Sequence, residues 1–371
     1  EIIVETISKQ HPQVLLYKKN LYVQNKILTL SPTRFGNRFI ISEEAGLLDP
    51  INKMDFDELK FKKFEELRDI IKKYSLQQLK HGKKFKSSKL TQFKASWKFF
   101  FNVNNKNYRK YVFHTGRTKY SVLKNELKLL MNRNSRLKFL NKRVTKQIKN
   151  EKFIYFTLHS EPERALLIPA PFYMNQLNVI QNIAKSIPIG YKLYVKEHPT
   201  QRIFGWREPS WYEEVLELPN VKLIHPDASN DELLKNCSLV ISVGGTIGLE
   251  AAFFKKPSIV FTNVIYSILK STIKIEKLTE LPKIIQSHLK TDVELDDLNK
   301  YIQIIEKVSF QIDLEKIRND MKHRFYYDDF LREVKISEEQ MERFLEDYKE
   351  NFELIVSEHI KKINQHKEKS R

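Results

Sequence analysis

Cysteine is almost absent from these 371 residues, Cys237 being the single example. An internal disulfide is thereby excluded, and so are most cysteine-based metal sites; Cys237 sits in an apolar run and reads as a small core residue of a reducing compartment. No run of about 18 apolar residues occurs, the length needed for a membrane-crossing helix. The N-terminus carries no secretory signal, and the chain begins at Glu1 rather than methionine, which leaves room for a segment ahead of it. What is present is a globular composition, 41% hydrophobic and 12% aromatic, long enough for two domains with sizeable cores.

Acidic residues are scarce in one part of the chain only. The formal net charge is +19, with 34 Lys and Arg against 12 Asp and Glu in residues 1–150, and 31 against 34 in residues 151–371. The first part is therefore expected to face something anionic, such as an acidic polymer, a phospholipid surface or nucleic acid. A lysine-rich coding bias can produce part of the excess without any partner.

Residues 1–50 read as strands and turns, at Val14–Tyr17, Leu21–Val23, Ile27–Leu30 and Phe39–Ser42. Between the last two, SPTRFGNRF carries Pro32 and Gly36 in a turn that presents Arg34 and Arg38, which suit an anionic ligand or plain solvent. From Asp55 a capping-box spacing to Glu58 starts a helix. Residues 81–102 interleave lysines with aromatics, and helical spacing gathers Leu90, Phe93, Trp97, Phe100 and Phe101 on one side. An interfacial membrane helix has this chemistry, but so does a helix that buries an aromatic face in its own domain, and burial is the expectation. Residues 119–149 read as a helix interrupted near Asn132–Ser135, with a basic end that serves as linker.

After Glu151 strand and helix alternate. Strands are expected at Phe153–Leu158, Lys192–Lys196, Val221–Ile224, Ser238–Val243 and Pro257–Phe261, with helices at Asn175–Ser186, Ser210–Leu216, Asn230–Lys235 and Ile247–Phe254. This repetition predicts an α/β domain with a parallel, doubly wound sheet, whose ligands bind beyond the carboxyl ends of the strands. His159, Glu161 and Glu163 follow the first strand, Lys196 and His198 close the second, His225 and Asp227 follow the third, and Gly244, Gly245 and Thr246 the fourth. Glycines at a strand-to-helix junction let the backbone approach a ligand, and a helix start offers N–H groups and a positive dipole end to a phosphate. Glu250, one turn on, has two oxygens for paired hydroxyls such as those of a ribose. In LHSEPER a histidine and two carboxylates share a loop, and in VKEHP a histidine precedes a stiffening proline. Such a histidine can donate to a phosphate or sugar oxygen, and such a carboxylate can act as general base. Each loop taken alone also fits a tight turn, a capping carboxylate or a surface histidine.

Taken in order, LHSEPE, the stretch Pro169–Pro171 with Asn175 and Gln176, YKLYVKEHP, LPNVKLIHP and GGTIGLEAAFFKKPSIVF resemble the capsular polysaccharide biosynthesis family, related to the bacterial Kdo transferases. The resemblance covers roughly residues 153–265 and implies a GT-B-like fold with two Rossmann-like domains. It further implies a nucleotide-sugar donor, CMP- or UDP-linked, held by the second domain, and an acceptor held mostly by the first. By position, His198, Gly245, Thr246 and Glu250 would meet the nucleotide, while Glu161 and Glu163 would lie near the reacting sugar. Thr157 stands where that family commonly has proline, and the resemblance as read from these motifs does not extend into residues 1–150.

The expected organisation is therefore a basic acceptor- or membrane-facing domain at 1–150, a donor-binding domain at 151–295, and a helical extension at 296–371 that crosses back to the first domain. The catalytic candidates are Glu163, Glu161 and His159. Those for the nucleotide-sugar are His198, Lys196, Gly244, Gly245, Thr246 and Glu250; Arg34 and Arg38 remain for an anion. No DxD-like acidic cluster follows the strands, since Asp296 and Asp297 fall in a charged late segment, so neither an essential metal nor a cofactor is expected. A donor phosphate can be neutralised by the helix start and His198. The reading is a glycosyltransferase, cytoplasmic or peripheral at the inner membrane face, that moves a sugar, Kdo-like or other, to a surface polysaccharide or its lipid-linked precursor; nucleic acid is not the expected partner. Competing readings are a polyol-phosphate transferase of the teichoic acid type, a nucleotide-sugar epimerase, and a non-catalytic scaffold for polysaccharide or membrane.

Overall fold

The computed structural model describes residues 28–33, 35–43, 47–49, 61, 63–69, 88–101, 119–161, 164–329, 331 and 334–369. The chain falls into two compact units that are not contiguous in sequence. One comprises Glu1–Lys53, Asp69–Val122 and Ile304–Arg371, and the other Met54–Arg68 and Leu123–Gln303. Residues 123–150 thus fold with the segment that follows them, and the C-terminal helices fold with the N-terminal segment. The expected strands before residue 27 and the helix start at Asp55 lie outside the described residues.

In the first unit β1 (Thr29–Pro32) and β2 (Arg38–Ser42) pair antiparallel, with Leu30 opposite Ile41. Gly36 takes the left-handed φ of 64° that the connecting turn requires. Helix α1 (Lys89–Phe101) follows. Its apolar stripe is not buried: Leu90, Phe93, Trp97 and Phe101 are 62, 64, 58 and 68% exposed, whereas Ala95 is buried. Periodicity told which residues share a side and could not tell what covers it. Helix α2 (Lys119–Arg143) runs without the expected break. Asn132, Asn134 and Ser135 are only mildly poor helix formers, and neither glycine nor proline is there to break the turn.

The second unit holds six parallel strands: β3 (Phe153–Thr157), β4 (Lys192–Lys196), β5 (Val221–Ile224), β6 (Leu239–Ser242), β7 (Ser258–Val260) and β8 (Thr272–Lys274). Their spatial order is β5-β4-β3-β6-β7-β8. Connecting helices are α3 (Gln176–Ser186), α4 (Pro209–Leu216), α5 (Asn230–Asn236), α6 (Ile247–Phe253) and, after β8, α7 (Leu281–His288). Asn175 and Ser229 cap α3 and α5 by accepting the N–H of Asn178 and Glu232, as short polar residues do at helix starts. The pleat sends Ile154, Phe156, Leu193, Val195, Leu239 and Ile241 to a face packed with α3, α4 and α7. It sends Phe153, Tyr155, Tyr194 and Val240 to the opposite face, under α5 and α6. Covering both faces explains why these strands read as continuous apolar runs, and truncating a fully buried phenylalanine such as Phe156 costs about 3–5 kcal/mol.

Helix α8 (Leu295–Val308) leads into β9 (Phe310–Gln311), a two-residue strand on β2 in a segment expected to be wholly helical. Helices α9 (Leu314–Phe325), α10 (Glu338–Asp347) and α11 (Lys349–Lys369) close the chain. Phe325, Phe344, Tyr348, Ile355 and Ile363 from them form one core with Leu28, Ile41 and Phe310.

Candidate functional site

With β3 and β6 adjacent, the chain winds outward in opposite directions from the middle of the sheet, and the carboxyl ends of those two strands mark the switch point at which sheets of this kind have their ligand crevice. Thr157 and Ser242 are the last paired residues there. His159 and the Gly244–Gly245 turn then meet: the Gly244 N–H donates to His159 Nε2 at 3.4 Å, and the Gly245 N–H donates to Ser242 Oγ at 3.0 Å. The close wrapping excludes side chains, because a Cβ on Gly244 would lie 2.4 Å from Thr262 Cγ2 and one on Gly245 2.8 Å from Ser242 Oγ. Two N–H groups expected to await a phosphate are thus engaged inside the protein.

One polar cluster lies on the α5 and α6 side. Thr246 Oγ1 donates to Glu250 Oε1 at 3.0 Å. Burial raises the Glu250 carboxyl above its ordinary range, while the Thr246 hydrogen bond and the Lys196 charge act the other way. Lys196, at the end of β4, is buried, and its Nζ donates to Ala228 O at 2.7 Å and to Asn230 Oδ1. Burial pushes its ammonium down to about 8 against the pull of Glu250 and Asp227. Tyr155 Oη donates to the same Asn230 Oδ1 at 3.1 Å.

A second cluster lies on the α4 side, centred on Glu197, whose side chain is fully enclosed. Its carboxylate accepts from Arg207 Nε at 2.8 Å, Tyr212 Oη at 2.7 Å and the His198 N–H at 2.6 Å. Burial still raises its pKa, with the Arg207 charge the foremost opposing influence. Arg207 also donates to His159 O at 2.7 Å and ion-pairs with Glu161 Oε2 at 2.7 Å. Gln176 accepts the His159 N–H at 2.7 Å, and its amide nitrogen donates to His159 O and Glu161 Oε1. Gln201 accepts the Glu161 N–H at 2.7 Å and donates back to Glu161 O at 3.2 Å. The loop after β3 is therefore held on its backbone by two glutamines and an arginine, and both Glu161 oxygens have partners.

A family model described as capsule polysaccharide biosynthesis protein matches residues 62–274, more than half of the chain. The chain belongs to that family. Comparison with curated proteins finds no significant match. Among solved structures the capsule-family chain is similar to KpsC, beta Kdo 2,7 transferase, of Thermosulfurimonas dismutans, with 12% identity, a TM-score of 0.40 and coverage of 93% of this chain and 89% of that one. It is similar to KpsC, beta Kdo 2,4 transferase, of the same organism at 14% identity and a TM-score of 0.29, covering 48% of this chain and 63% of that one. UDP-GlcNAc 2-epimerase of Methanocaldococcus jannaschii is 18% identical at a TM-score of 0.31, with 50% and 51% covered.

In this capsule-family protein the residues singled out from sequence are dispersed as follows. His159, Gly244 and Gly245 touch one another, and Thr246, Glu250 and Lys196 form the cluster on the α5 and α6 side. His198 turns its Nδ1 to the Thr200 N–H at 3.3 Å and lies 2.6 Å from Thr200 Oγ1, capping the turn Pro199–Phe204. Arg38, offered for an anion, binds Ser309 Oγ at 2.7 Å, Glu306 O at 2.7 Å and Ser309 O at 2.9 Å, so its guanidinium caps the end of α8. Glu163 and Arg34 lie outside the described residues. His225 is buried, accepts the Asp227 N–H at 3.1 Å, and is kept below the usual histidine range by burial and by Lys146. Sequence reading passed over Glu197, Arg207, Gln201 and Tyr212, and used Gln176 only as a motif letter. The available signal was Glu197 itself, a carboxylate leaving a buried strand that requires a cation or a donor inside.

Proposed function

We propose that this capsule-family protein is a glycosyltransferase of the GT-B type, which binds a CMP- or UDP-linked sugar at the switch-point crevice and passes the sugar to a surface polysaccharide or its lipid-linked precursor. The observation that carries the reading is the reversal of strand order between β3 and β6, with His159, the Gly244–Gly245 turn, Lys196 and Glu250 at the carboxyl edge around it. In the transfer an acceptor hydroxyl oxygen attacks the anomeric carbon of the donor. The bond from that carbon to the phosphate oxygen breaks, its electron pair leaves on the nucleotide, and the hydroxyl proton passes to a carboxylate. Lys196 and His198 supply positive charge and a donor for the leaving phosphate. Glu163 takes the role of base, because Glu161 is engaged by Arg207 and Gln176 and positions the loop. No cofactor enters this scheme. Incubation with CMP-, UDP- and CDP-linked sugars, a CMP-linked Kdo-like sugar among them, with and without glycan acceptor, tests it: release of free nucleotide that rises with acceptor is expected. Release of a polyol phosphate, or interconversion of the sugar on its nucleotide, would replace this reading with the transferase or epimerase alternative.

The lipid side of the proposal rests on α1. Its exposed stripe sets Phe93 beside Trp97 and Trp97 beside Phe101 as tilted ring pairs, at centroid distances of 6.3 and 4.4 Å, with Lys94 and Lys98 on the same helix. No helix among the described residues is long and apolar enough to cross a membrane. The stripe suits the interface of an anionic bilayer on the cytoplasmic face, where each nearby lysine contributes about 1 kcal/mol. Sedimentation with phosphatidylglycerol vesicles should show binding that salt weakens and that Trp97→Ser with Phe101→Ser removes while melting is unchanged. Equal binding to neutral vesicles, or none to either, refutes the membrane assignment.

A further inference from the structure

A cleft of about 670 Å³ opens in the parallel-sheet unit between the Glu161 loop, Leu166–Leu167 and the start of α4, within the range of roughly 300–1,000 Å³ typical of small-molecule sites. Its lining includes none of Gly244, Gly245, Lys196 or Glu250. Two of the chain's three tryptophans line it, Trp206 and Trp211. Trp206 is 4% exposed, holds a left-handed φ of 65° and has no acceptor for its indole Nε1–H among the described residues. Backbone strain of that kind persists only where the surroundings impose it, and it concentrates at ligand sites. Trp211 is half-buried, with the Arg207 guanidinium 4.6 Å from its ring centroid. Leu167 and Met174 stay 52 and 45% exposed at the lip.

Charge selects the ligand class. Arg136 and Arg207 share the lining with Glu161, Glu208 and Glu214, and the cations are already matched, Arg207 to Glu161 at 2.7 Å and Arg136 to Glu208. An entering phosphate would meet three carboxylates, and an entering cation two guanidiniums. A neutral, hydroxyl-rich molecule meets neither penalty: its hydroxyls find fixed acceptors and donors, and its C–H faces find indole. We infer that this cleft is a glycan subsite that holds a neutral saccharide unit of the acceptor. The word acceptor rests on the glycosyltransferase reading; saccharide binding itself does not.

The three indole N–H resonances, assigned with Trp97→Phe, Trp206→Phe and Trp211→Phe, report on the cleft in the full chain. They are to be followed during titration with chitotriose, cellotriose and a galactose trisaccharide, with inorganic phosphate, and with CMP and UDP in a separate arm. At least one trisaccharide should move Trp206 and Trp211 while Trp97 stays, and phosphate should move neither. Ser210→Trp, which fills the rim from an exposed position, and Glu214→Gln should weaken saccharide affinity about tenfold while nucleotide binding persists. The inference is overturned if no trisaccharide moves either indole, if phosphate does, or if saccharide affinity survives Ser210→Trp in folded protein. Absence of nucleotide binding alongside intact saccharide shifts would undo the donor reading and leave this one standing.

Discussion

Replacing Arg207 by methionine tests whether the loop network is held by charge. The Glu197 side chain is 0% exposed and that of Arg207 4%, so neither group has water to fall back on. Burial already raises the Glu197 carboxyl, and Arg207 is the chief restraint on that rise. Removing the cation leaves a buried, uncompensated carboxylate, which costs about 3–5 kcal/mol at neutral pH. For a unit of this size each kcal/mol shifts melting by about 2–4 °C, so a fall of roughly 6–20 °C is expected. The sign with pH follows from the direction of the shift. A carboxyl whose folded pKa lies above its unfolded value contributes stability below the unfolded value and loses it as pH rises through the folded one. Arg207→Met raises the folded value further, so the deficit should shrink on acidification by up to about 1.4 kcal/mol per pH unit. Thermal unfolding at about pH 8 and about pH 5, for wild type, Arg207→Met and Arg207→Met with Glu197→Gln, reads this directly, the double variant losing the pH dependence. A deficit that is the same at both pH values would refute the reasoning and assign Arg207 to packing on Trp211.

Lys196, with its ammonium pushed down to about 8, should make nucleotide affinity fall as pH rises through about 8 in titration calorimetry; Lys196→Met should bind weakly at every pH, and a wild-type affinity flat across that window would remove Lys196 from the phosphate. Gly245→Ala places a Cβ 2.8 Å from Ser242 Oγ, so thermal unfolding should report a loss of about 1–3 kcal/mol from overpacking, with weaker nucleotide binding; unchanged melting would mean the turn has room the structure does not show. Glu250→Ala should weaken nucleotide binding by about 1.5–3 kcal/mol, the range for a hydrogen bond to a charged group; a variant that melts lower but binds as wild type would give Glu250 a purely structural role with Thr246.

The strands β3, β4 and β5 were legible almost to the residue, because a sheet covered on both faces writes itself as short apolar runs between turns. Its last strand and last helix were not. Thr272–Lys274 is three residues at the sheet edge with Ile273 36% exposed, so little of it is apolar enough to register. β9 escaped for a similar reason, being two residues that become a strand only through Arg38 and Phe39 of β2, far away in sequence. The stripe of α1 shows the opposite limit: the side was read correctly and its exposure was not, since a helical period carries no information about a neighbour.

At the site, what could be read was position along the chain, and what could not was direction. Lys196 and Glu197 are adjacent in the sequence and look like one charged pair ending a strand. The pleat separates them, because successive residues of an extended strand point to opposite faces. Lys196 joins Asn230 and Glu250 on the side of α5 and α6, whereas Glu197 joins Arg207 and Tyr212 on the side of α4. Through Arg207, which donates to His159 O and pairs with Glu161, Glu197 governs the loop that ends β3. The charge of Lys196 acts on Glu250, which accepts from Thr246 at the turn that ends β6. A change at Glu197 therefore reaches the loop after β3 through direct contacts, whereas a change at Lys196 reaches the turn after β6 through charge.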